Sequence, residues 1–328
     1  MTGPTLFSRI AGTGSALPAR RVTNAELAAA LAARGIETSD EWIRTRTGIA
    51  ERCIVSEGET THTLALEASR SALQAASCGP SDIDLVIVAT TTPDELFPSE
   101  ACRLQASLGI PPCGCFDLQA VCSGFVYALI TADSLIRSGA ARRALVAGAD
   151  TFSRLLDWDD RSSCVLFGDG AGAVVLEASD EPGLVASVLV ADGSRGDILR
   201  VPGRIEGGRL LGSGFLHMEG RAVFREAVES LESTAREVLA RAGMNASDID
   251  CYIPHQANIR IMTHVAARLG IPQDRMETAV THHGNTCAAS VPLALDEAVR
   301  SGRLRRGQTA LLQGVGAGMT CAASLLRY

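Results

Sequence analysis

Residues 81–90 read Ser81-Asp82-Ile83-Asp84-Leu85-Val86-Ile87-Val88-Ala89-Thr90, and this segment indicates the fold class. Its part from Asp84 to Thr90 is short, continuous and rich in β-branched residues, which predicts a buried strand. A helical pattern from Phe125 to Gly139 comes later, and Ala144 to Gly148 and Ser163 to Phe167 predict further strands. Strand, helix and strand at this spacing are typical of parallel βαβ units and therefore of an α/β fold.

The chain also repeats itself. Three segments recur in the same order at offsets of 166, 161 and 163 residues: Ser81-Asp82-Ile83-Asp84 as Ser247-Asp248-Ile249-Asp250, Leu108-Gly109-Ile110-Pro111 as Leu269-Gly270-Ile271-Pro272, and Arg137-Ser138-Gly139 as Arg300-Ser301-Gly302. Three matches with nearly constant offsets indicate a duplicated unit. We therefore expect two α/β halves, residues 1–177 and 178–328, which meet near residues 177–183 and pack as one body because no Pro- or Ser-rich linker separates them.

The composition is that of an ordinary globular protein, with 328 residues of which 46% are hydrophobic and 20% charged. All 30 basic residues are arginines, and the absence of lysine excludes a Walker-A phosphate loop and Schiff-base chemistry. A net charge of −7 argues against a general nucleic-acid or anionic-membrane binder. No stretch approaches the roughly 20 apolar residues that a membrane-spanning helix needs.

The ten cysteines do not form a metal-binding pattern. They are scattered from Cys53 to Cys321 without a CxxC pair or a Cys/His cluster of zinc spacing, so no metal site is predicted. Residues 1–10 lack the apolar core of a signal peptide. We therefore expect reduced, mostly buried cysteines and a cytoplasmic location.

Cys122 is the candidate nucleophile. It lies between a strand-like run and the helix that ends at Gly139, so its sulfur would sit at a helix N-terminus, where the dipole and free N–H groups favour a thiolate. A buried structural cysteine is the common alternative. The repeat offset of 163 places Cys122 opposite Asn285, which also precedes a helical pattern, so the two residues are expected to converge on a shared centre.

His255 is the third candidate because it follows the predicted strand Asp250–Ile253, and ligands gather beyond the carboxyl ends of such strands. The other five histidines, His62, His217, His264, His282 and His283, lack this setting, although His283 is close enough to Asn285 to shape its loop. The order Cys, His, Asn suits covalent acyl chemistry, in which a thiolate attacks and two donors stabilise an oxygen that gains charge. Papain-like proteases share the order, so a hydrolase and a transferase both remain open.

Two glycine-rich segments require interpretation. Gly168 to Ala173 fits G-x-G-x-x-A, but Val174 to Glu177 continues as a strand where a dinucleotide site needs a helix, which favours a tight turn between strands. Gly314 to Gly318 runs into a predicted terminal strand, Cys321 to Leu326, and its glycines suit a backbone that approaches another group closely. No GxSxG nucleophile elbow is present.

Taken together, these segments resemble β-ketoacyl-acyl-carrier-protein synthase III, the initiating condensing enzyme of bacterial type II fatty acid synthesis. The resemblance runs nearly end to end and is carried by residues 39–43, 45–49, 97–99, 117–125, 167–172, 254–258 and 284–286. It implies the thiolase fold, in which two duplicated α/β halves pack in five layers, and a homodimer.

The resemblance also implies the reaction. Cys122 would take an acyl group, usually acetyl, from coenzyme A, which is a substrate, so no cofactor is expected. His255 and Asn285 would bind the malonyl thioester carbonyl of the acyl carrier protein, promote loss of carbon dioxide and stabilise the enolate. The enolate would attack the acyl-cysteine and give a 3-oxoacyl carrier protein. The backbone N–H groups of Cys122 and Ala317 would form the oxyanion hole.

Further residues match binding positions of the family. Trp42 and Arg161 would sandwich the adenine of coenzyme A, and five others would line its tunnel: Thr38, Arg46, Gly220, Phe224 and Asn258. Phe97 matches a dimer-interface residue that closes the primer pocket of the partner subunit. Three arginines match the docking patch for the acidic carrier protein, which a chain of negative net charge needs locally: Arg225, Arg260 and Arg268.

The chain departs from the family near its C-terminus. It has Gly316-Ala317-Gly318-Met319 where the family usually has Gly-Gly-Gly-Phe, and Cys321 where many members have Trp. Ala317 still supplies a backbone N–H if its φ suits a residue with a Cβ. Primer length is left open, as are a specialised-metabolism acyltransferase or priming synthase, a Cys-dependent thioester hydrolase and a non-catalytic binding module. Elongating condensing enzymes use a Cys-His-His set with a lysine, which this chain cannot supply.

Overall fold

The computed structural model describes residues 6–328. Residues 1–5, part of the segment in which no signal peptide is predicted, lie outside the described residues. The elements of the first half are, in chain order, β1 (Phe7–Ala16), β2 (Arg21–Thr23), α1 (Asn24–Ala32), α2 (Asp40–Thr47), β3 (Glu51–Cys53), α3 (Thr61–Ala75), β4 (Leu85–Ala89), α4 (Glu100–Leu108), β5 (Gly114–Leu118), α5 (Gly124–Arg137), β6 (Arg143–Asp150), α6 (Arg161–Cys164) and β7 (Gly170–Ser179).

The second half begins with β8, continues through four short strands, and ends with a second α/β unit. Its elements are β8 (Leu184–Ala191), β9 (Leu199–Arg200), β10 (Arg204–Glu206), β11 (Arg209–Leu211), β12 (His217–Met218), α7 (Gly220–Ala242), β13 (Cys251–Pro254), α8 (Ile259–Leu269), α9 (Val280–His283), α10 (Ser290–Arg300), β14 (Thr309–Gly316) and β15 (Thr320–Arg327). Short 3₁₀ turns at Val121–Ser123 and Cys287–Ala289 lead directly into α5 and α10.

Each half is built on one main sheet, and the two sheets have equivalent topology. The strand order is β1-β7-β6-β4-β5 in the first half and β8-β15-β14-β13 in the second. In both, one parallel pair, β4 with β6 or β13 with β14, is followed by two antiparallel pairs. A fifth strand of the second half is reduced to one parallel bridge between Tyr252 and Met276. The duplication predicted from the short repeats is confirmed.

The repeated segments have the same local role in both halves. Ser81 and Ser247 lie in 3₁₀ turns before β4 and β13, and the Asp that follows each serine accepts a backbone N–H at 2.8 Å. Gly109 and Gly270 end α4 and α8 with φ of +70° and +74°, which suits glycine. The repeated residue types suit these caps and turns, which tolerate few residue types.

The halves pack in five layers. Helices α5 and α10 lie between the two sheets and contact both, and their apolar residues form one buried cluster with strands of each half. Helices α3 and α4 cover the outer face of the first sheet, while α7 and α8 cover the second. Gly148 of β6 allows the turn before α10 to approach, since a Cβ there would lie 2.5 Å from the Ala288 carbonyl oxygen.

Three local predictions are wrong. The strand predicted from Ser163 to Phe167 is instead the end of α6 at residues 163–164, a turn at residues 165–166 and a single bridge from Phe167 to Asn285, because Asp160 caps a helical turn by accepting the Ser162 N–H at 2.9 Å. The tight turn predicted over residues 168–173 becomes strand from Gly170 onward, and Gly172 lets β7 pass against Pro292. The boundary between residues 177 and 178 falls inside β7, and the chain changes sheets in the connection at residues 180–183.

Candidate active site

The candidate nucleophile is held in a strained turn at the start of α5. Val121 has a φ of +48°, which turns the chain so that Cys122 directly precedes the helix. Strand β14 passes against this turn, and a Cβ on Gly316 would lie 2.8 Å from the Cys122 nitrogen. A Cβ on Gly314 would lie 2.7 Å from the Ser123 Cα. The close backbone approach predicted for these glycines is confirmed.

The matching turn of the second half corrects the repeat alignment. Cys287 has a φ of +52° and is the counterpart of Val121, so Cys122 is equivalent to Ala288 and not to Asn285. The offset of 163 comes from the ends of α5 and α10, and α10, with 11 residues, is three residues shorter than α5, with 14. The offset therefore misses the equivalent position at the start of these helices by three residues. Asn285 lies before the turn, and it still reaches the centre.

His255 follows β13 directly and is buried. Its Nδ1 lies 2.6 Å from the Ser290 Oγ, which also accepts the Gln256 backbone N–H at 3.3 Å. While it accepts from Gln256, the Ser290 hydroxyl can donate its own proton to Nδ1. This arrangement favours the tautomer that carries its proton on Nε2, so His255 can act as a hydrogen-bond donor.

Asn285 is fixed by contacts on both its backbone and its side chain. Its N–H donates to the Leu166 carbonyl and its carbonyl accepts from the Gly168 N–H, both at 2.9 Å, which ties it to the first half. Its Oδ1 accepts the Cys287 backbone N–H at 2.9 Å. With the amide oxygen held in this way, the Nδ2 donors remain available to a ligand.

The electrostatics favour a thiolate at Cys122. The Cys122 and Cys287 sulfurs are 3.6 Å apart in a buried cluster. Hydrogen bonding with Cys287 is the main cause that lowers the pKa of Cys122, His255 adds to it, and burial opposes it. Burial, followed by the contact with Cys122, raises the pKa of Cys287. Burial also raises the pKa of Asp150, behind Cys287, to about 6.

Cys122 lies between two cavities. The first, of about 270 Å³, brings Cys122, His255 and Asn285 together with five of the seven predicted coenzyme residues: Trp42, Arg46, Gly220, Phe224 and Asn258. The second, of about 390 Å³, is lined by Cys122, Ala317 and the stacked rings of Phe152 and Phe167 among others. One side of the nucleophile therefore faces a long entry cavity, and the other faces a separate pocket.

The two remaining coenzyme residues lie at or beyond the edge of the first cavity. The guanidinium carbons of Arg161 and Arg46 each lie 4.4 Å from the centre of the Trp42 ring, so Arg161 contacts its predicted partner. Thr38 does not line the cavity, and its buried Oγ1 has no hydrogen-bond partner within residues 6–328.

The C-terminal departures have different consequences. Ala317 does not adopt a positive φ, so the residue with a Cβ is accommodated without left-handed strain. Met319 and Cys321 are buried away from both cavities, and the Cys321 Sγ lies 3.3 Å from the Thr234 Oγ1 of α7. Neither side chain therefore shapes the space around Cys122.

The predicted interface residues lie outside the cavities. Phe97 is 82% exposed, and Leu96 beside it is 76% exposed. Arg225 follows Phe224 on α7, and the Arg260 guanidinium lies 6.0 Å from the Phe224 ring, so both are near the mouth of the first cavity. Arg268 is separate, at the far end of α8, where it forms an ion pair of 2.7 Å with Glu232.

One cluster with possible metal ligands lies outside this site. Ligand atoms of His282, His283 and Glu297 all lie within 4.8 Å of one another, although no metal site is predicted from the sequence. The His282 Nε2 and the Glu297 carboxylate are already hydrogen-bonded at 3.0 Å. Burial lowers the pKa of His283 to about 4, so this imidazole is neutral near neutral pH.

Sequence reasoning missed Cys287, Ser290 and Asp150, which surround the candidate residues. Cys287 and Ser290 are close to Asn285 in the chain, and the start of a helix was the only signal that pointed to them. Asp150 ends β6, and its Oδ2 accepts the Ala288 N–H at 2.9 Å across the two halves. A strand-end position beside the threonine-rich end of β4, at residues 90–92, was the available signal for Asp150.

Comparisons with known proteins agree with this geometry. The family description "3-Oxoacyl-[acyl-carrier-protein (ACP)] synthase III" matches residues 116–193, and its C-terminal counterpart matches residues 239–328. The 3-oxoacyl-[acyl-carrier-protein] synthase III of Aquifex aeolicus VF5 is 44% identical, with a TM-score of 0.91 over 98% of this chain and 100% of that one. The Pseudomonas aeruginosa PAO1 synthase III is 42% identical, with a TM-score of 0.91 over 98% of each chain.

A third similar structure is the priming β-ketosynthase of the R1128 polyketide biosynthetic pathway. It is 38% identical, with a TM-score of 0.91 over 99% of this chain and 98% of that one. Within residues 6–328, no helix combines the length and apolar character that crossing a membrane requires. The chain therefore belongs to the 3-oxoacyl-acyl-carrier-protein synthase III family, whose members are thiolase-fold acyltransferases of the condensing type.

Proposed function

We propose that the protein condenses an acyl-coenzyme A primer with malonyl-acyl carrier protein and releases coenzyme A and carbon dioxide, the initiating reaction of type II fatty acid synthesis. The observation that carries the proposal is the convergence of Cys122, His255 and Asn285 on the cavity that also contains the coenzyme residues. Family membership supports it, because the similar structures from Aquifex aeolicus and Pseudomonas aeruginosa are those of 3-oxoacyl-acyl-carrier-protein synthase III.

The first half-reaction is acyl transfer to Cys122. The thiolate attacks the thioester carbonyl, a carbon–sulfur bond forms, and coenzyme A leaves as a thiolate that takes up a proton. The contact with Cys287, the nearby His255 and the start of α5 all favour the ionised nucleophile. The backbone N–H groups of Cys122 and Ala317 are proposed to stabilise the tetrahedral oxyanion.

The second half-reaction uses the two donors. His255 Nε2–H and the Asn285 amide are proposed to donate to the malonyl thioester oxygen, so that electrons from the breaking bond to the carboxylate form an enolate as carbon dioxide leaves. The enolate carbon attacks the acyl-Cys122 carbonyl, and the carbon–sulfur bond breaks to return the thiolate. Ser290 and the Cys287 backbone N–H hold the two donors in place.

Ligand and partner contacts follow the same proposal. The adenine of coenzyme A would stack on Trp42, which requires Arg161 to move off the ring face that it now contacts. Arg225 and Arg260, near the cavity mouth, are the better candidates for docking an acidic carrier protein, since Glu232 already neutralises Arg268. The exposure of Phe97 and Leu96 supports a homodimer. The ten unpaired cysteines support a cytoplasmic location.

A second candidate is a priming synthase of specialised metabolism, and the likeness to the R1128 priming β-ketosynthase favours it. Its chemistry at Cys122 would be the same, and the difference would lie in the primer. The pocket beyond Cys122 determines this choice, because an acyl chain on the sulfur must occupy it.

The test is incubation with acetyl-coenzyme A, peptide mass mapping of the acyl group, and then addition of malonyl-acyl carrier protein. We expect the acyl group on Cys122 and a 3-oxoacyl carrier protein as product, with Cys122→Ala as the inactive control. An unmodified Cys122 and no product would contradict the proposal, and steady thioester cleavage without a carrier protein would indicate a hydrolase. A panel of acetyl, branched and longer primers separates the fatty acid role from the specialised one.

A further inference from the structure

A second buried thiol lies against the candidate nucleophile. The Cys287 Sγ is 3.6 Å from the Cys122 Sγ, and both cysteines are free. The Cys287 residue is fully buried and the Cys122 residue is 6% exposed. No bond to this thiol forms or breaks in the proposed reaction, so its position beside the nucleophile needs a separate explanation.

Cys287 is fixed in position from both sides. Its backbone has a φ of +52°, an unusual conformation for a residue with a Cβ, and its N–H donates to the Asn285 Oδ1. The next residue, Ala288, donates its N–H to the Asp150 carboxylate at 2.9 Å. Because neighbours on each side hold the turn, the backbone that carries this sulfur is fixed beside Cys122.

The charged groups around the two sulfurs determine which of the two thiols keeps its proton. The titratable groups that face Cys122 are His255, from the end of β13, and Cys287, with Asp150 of β6 behind Cys287. The Asp150 carboxylate disfavours a second negative charge on Cys287, while His255 favours one on Cys122. In the neutral site the Cys122 S–H points at Cys287. Once Cys122 has lost its proton, the Cys287 thiol holds the only proton in this contact and has to turn its S–H toward Cys122 in order to donate it.

We propose that Cys287 is a positioning residue that donates its S–H to the Cys122 thiolate and so keeps the nucleophile ionised and oriented before the primer arrives. The proposal rests on the function proposed for Cys122. No bond to Cys287 forms or breaks, and the proton that Cys122 loses passes to solvent. Once Cys122 carries an acyl group, the acceptor of this hydrogen bond is lost.

The test measures how pH controls alkylation of Cys122 by iodoacetamide, with peptide mass spectrometry to separate Cys122 from the nine other thiols. Cys287→Ala should move the midpoint upward by about one pH unit and slow alkylation about tenfold at pH values below both midpoints, as expected for loss of a hydrogen bond to a charged group. Cys287→Ser, which retains a hydrogen-bond donor, should keep the midpoint near or below that of the wild-type protein. Cys164→Ala removes another buried thiol and should leave the midpoint for Cys122 alkylation unchanged.

Cys287→Gly is a second variant that removes the thiol while suiting the left-handed backbone, so a folding defect of the alanine variant does not decide the outcome. A midpoint unchanged in both Cys287→Ala and Cys287→Gly would overturn the proposal. A shift that Cys287→Ser also shows would overturn it too, because loss of packing rather than loss of a donor would then be the cause. Alkylation needs no acyl substrate, so failure of acyl transfer with the expected midpoints would refute the proposed function alone.

Discussion

Gly316 is the residue at which a single methyl group should disable the site. In Gly316→Ala the new Cβ would lie 2.7 Å from the Ala120 carbonyl oxygen and 2.8 Å from the Cys122 nitrogen. An ordinary contact begins at 3.4 Å, so β14 or the Cys122 turn must move by roughly 0.6 Å. Catalytic groups tolerate displacements of about 0.5 Å, and a misplacement of about 1 Å can lower a rate about 100-fold.

We therefore expect Gly316→Ala to lower the rate of Cys122 acylation by about 10- to 100-fold and the free energy of unfolding by about 1–3 kcal/mol, the usual effect of overpacking. Rapid-quench mass spectrometry of the acyl-enzyme gives the rate, and denaturant unfolding gives the stability. Gly193→Ala is the matched control, because a Cβ at Gly193 meets nothing within 4 Å. Wild-type acylation in a folded Gly316→Ala protein would refute the idea that β14 positions the nucleophile.

Three further results are expected. His255→Ala and Asn285→Ala should each retain most Cys122 acylation while lowering malonyl decarboxylation, measured as carbon dioxide release, by at least about 100-fold; loss of acylation with intact decarboxylation would reverse the assignment. Trp42→Ala should raise KM for the acyl-coenzyme A about tenfold with little change in kcat, and an unaltered KM would refute stacking of the adenine on Trp42. The third concerns His283, whose pKa burial lowers from its ordinary value of 6.5 to about 4. Between these pH values the unfolded chain takes up a proton that the native chain does not, so the free energy of unfolding should fall as the pH is lowered. In urea titrations at several pH values, His283→Gln should flatten this dependence. An identical slope in both proteins would disprove the link.

The sequence was informative where local chemistry restricts the residue type. The repeated segments lie at caps, turns and helix ends, so they predicted both the duplication and the α/β class. The helix N-terminus predicted Cys122, and the strand end predicted His255, because ligands gather beyond the carboxyl ends of strands. The coenzyme residues came from the family resemblance and not from spacing.

The errors arose where tertiary contacts or unequal lengths decide the structure. Residues 163–167 looked like a strand because the run is short and apolar, and the cap at Asp160 was not recognised. The pairing of Cys122 with Asn285 failed because α10 is three residues shorter than α5. The contact between Cys122 and Cys287 joins residues 165 positions apart, which no pattern in one sequence predicts.

The division of the site between the halves has a consequence for how the protein is made. The ribosome completes the first half, including Cys122, before His255, Asn285 and Cys287 have been synthesised. In that nascent chain the thiol lacks the neighbours that favour its ionised form. Because thiolates and not thiols are the reactive species, a smaller fraction of Cys122 is in the reactive form until the second half has folded against the first. The order of residues along the chain thus delays activation until the enzyme is complete.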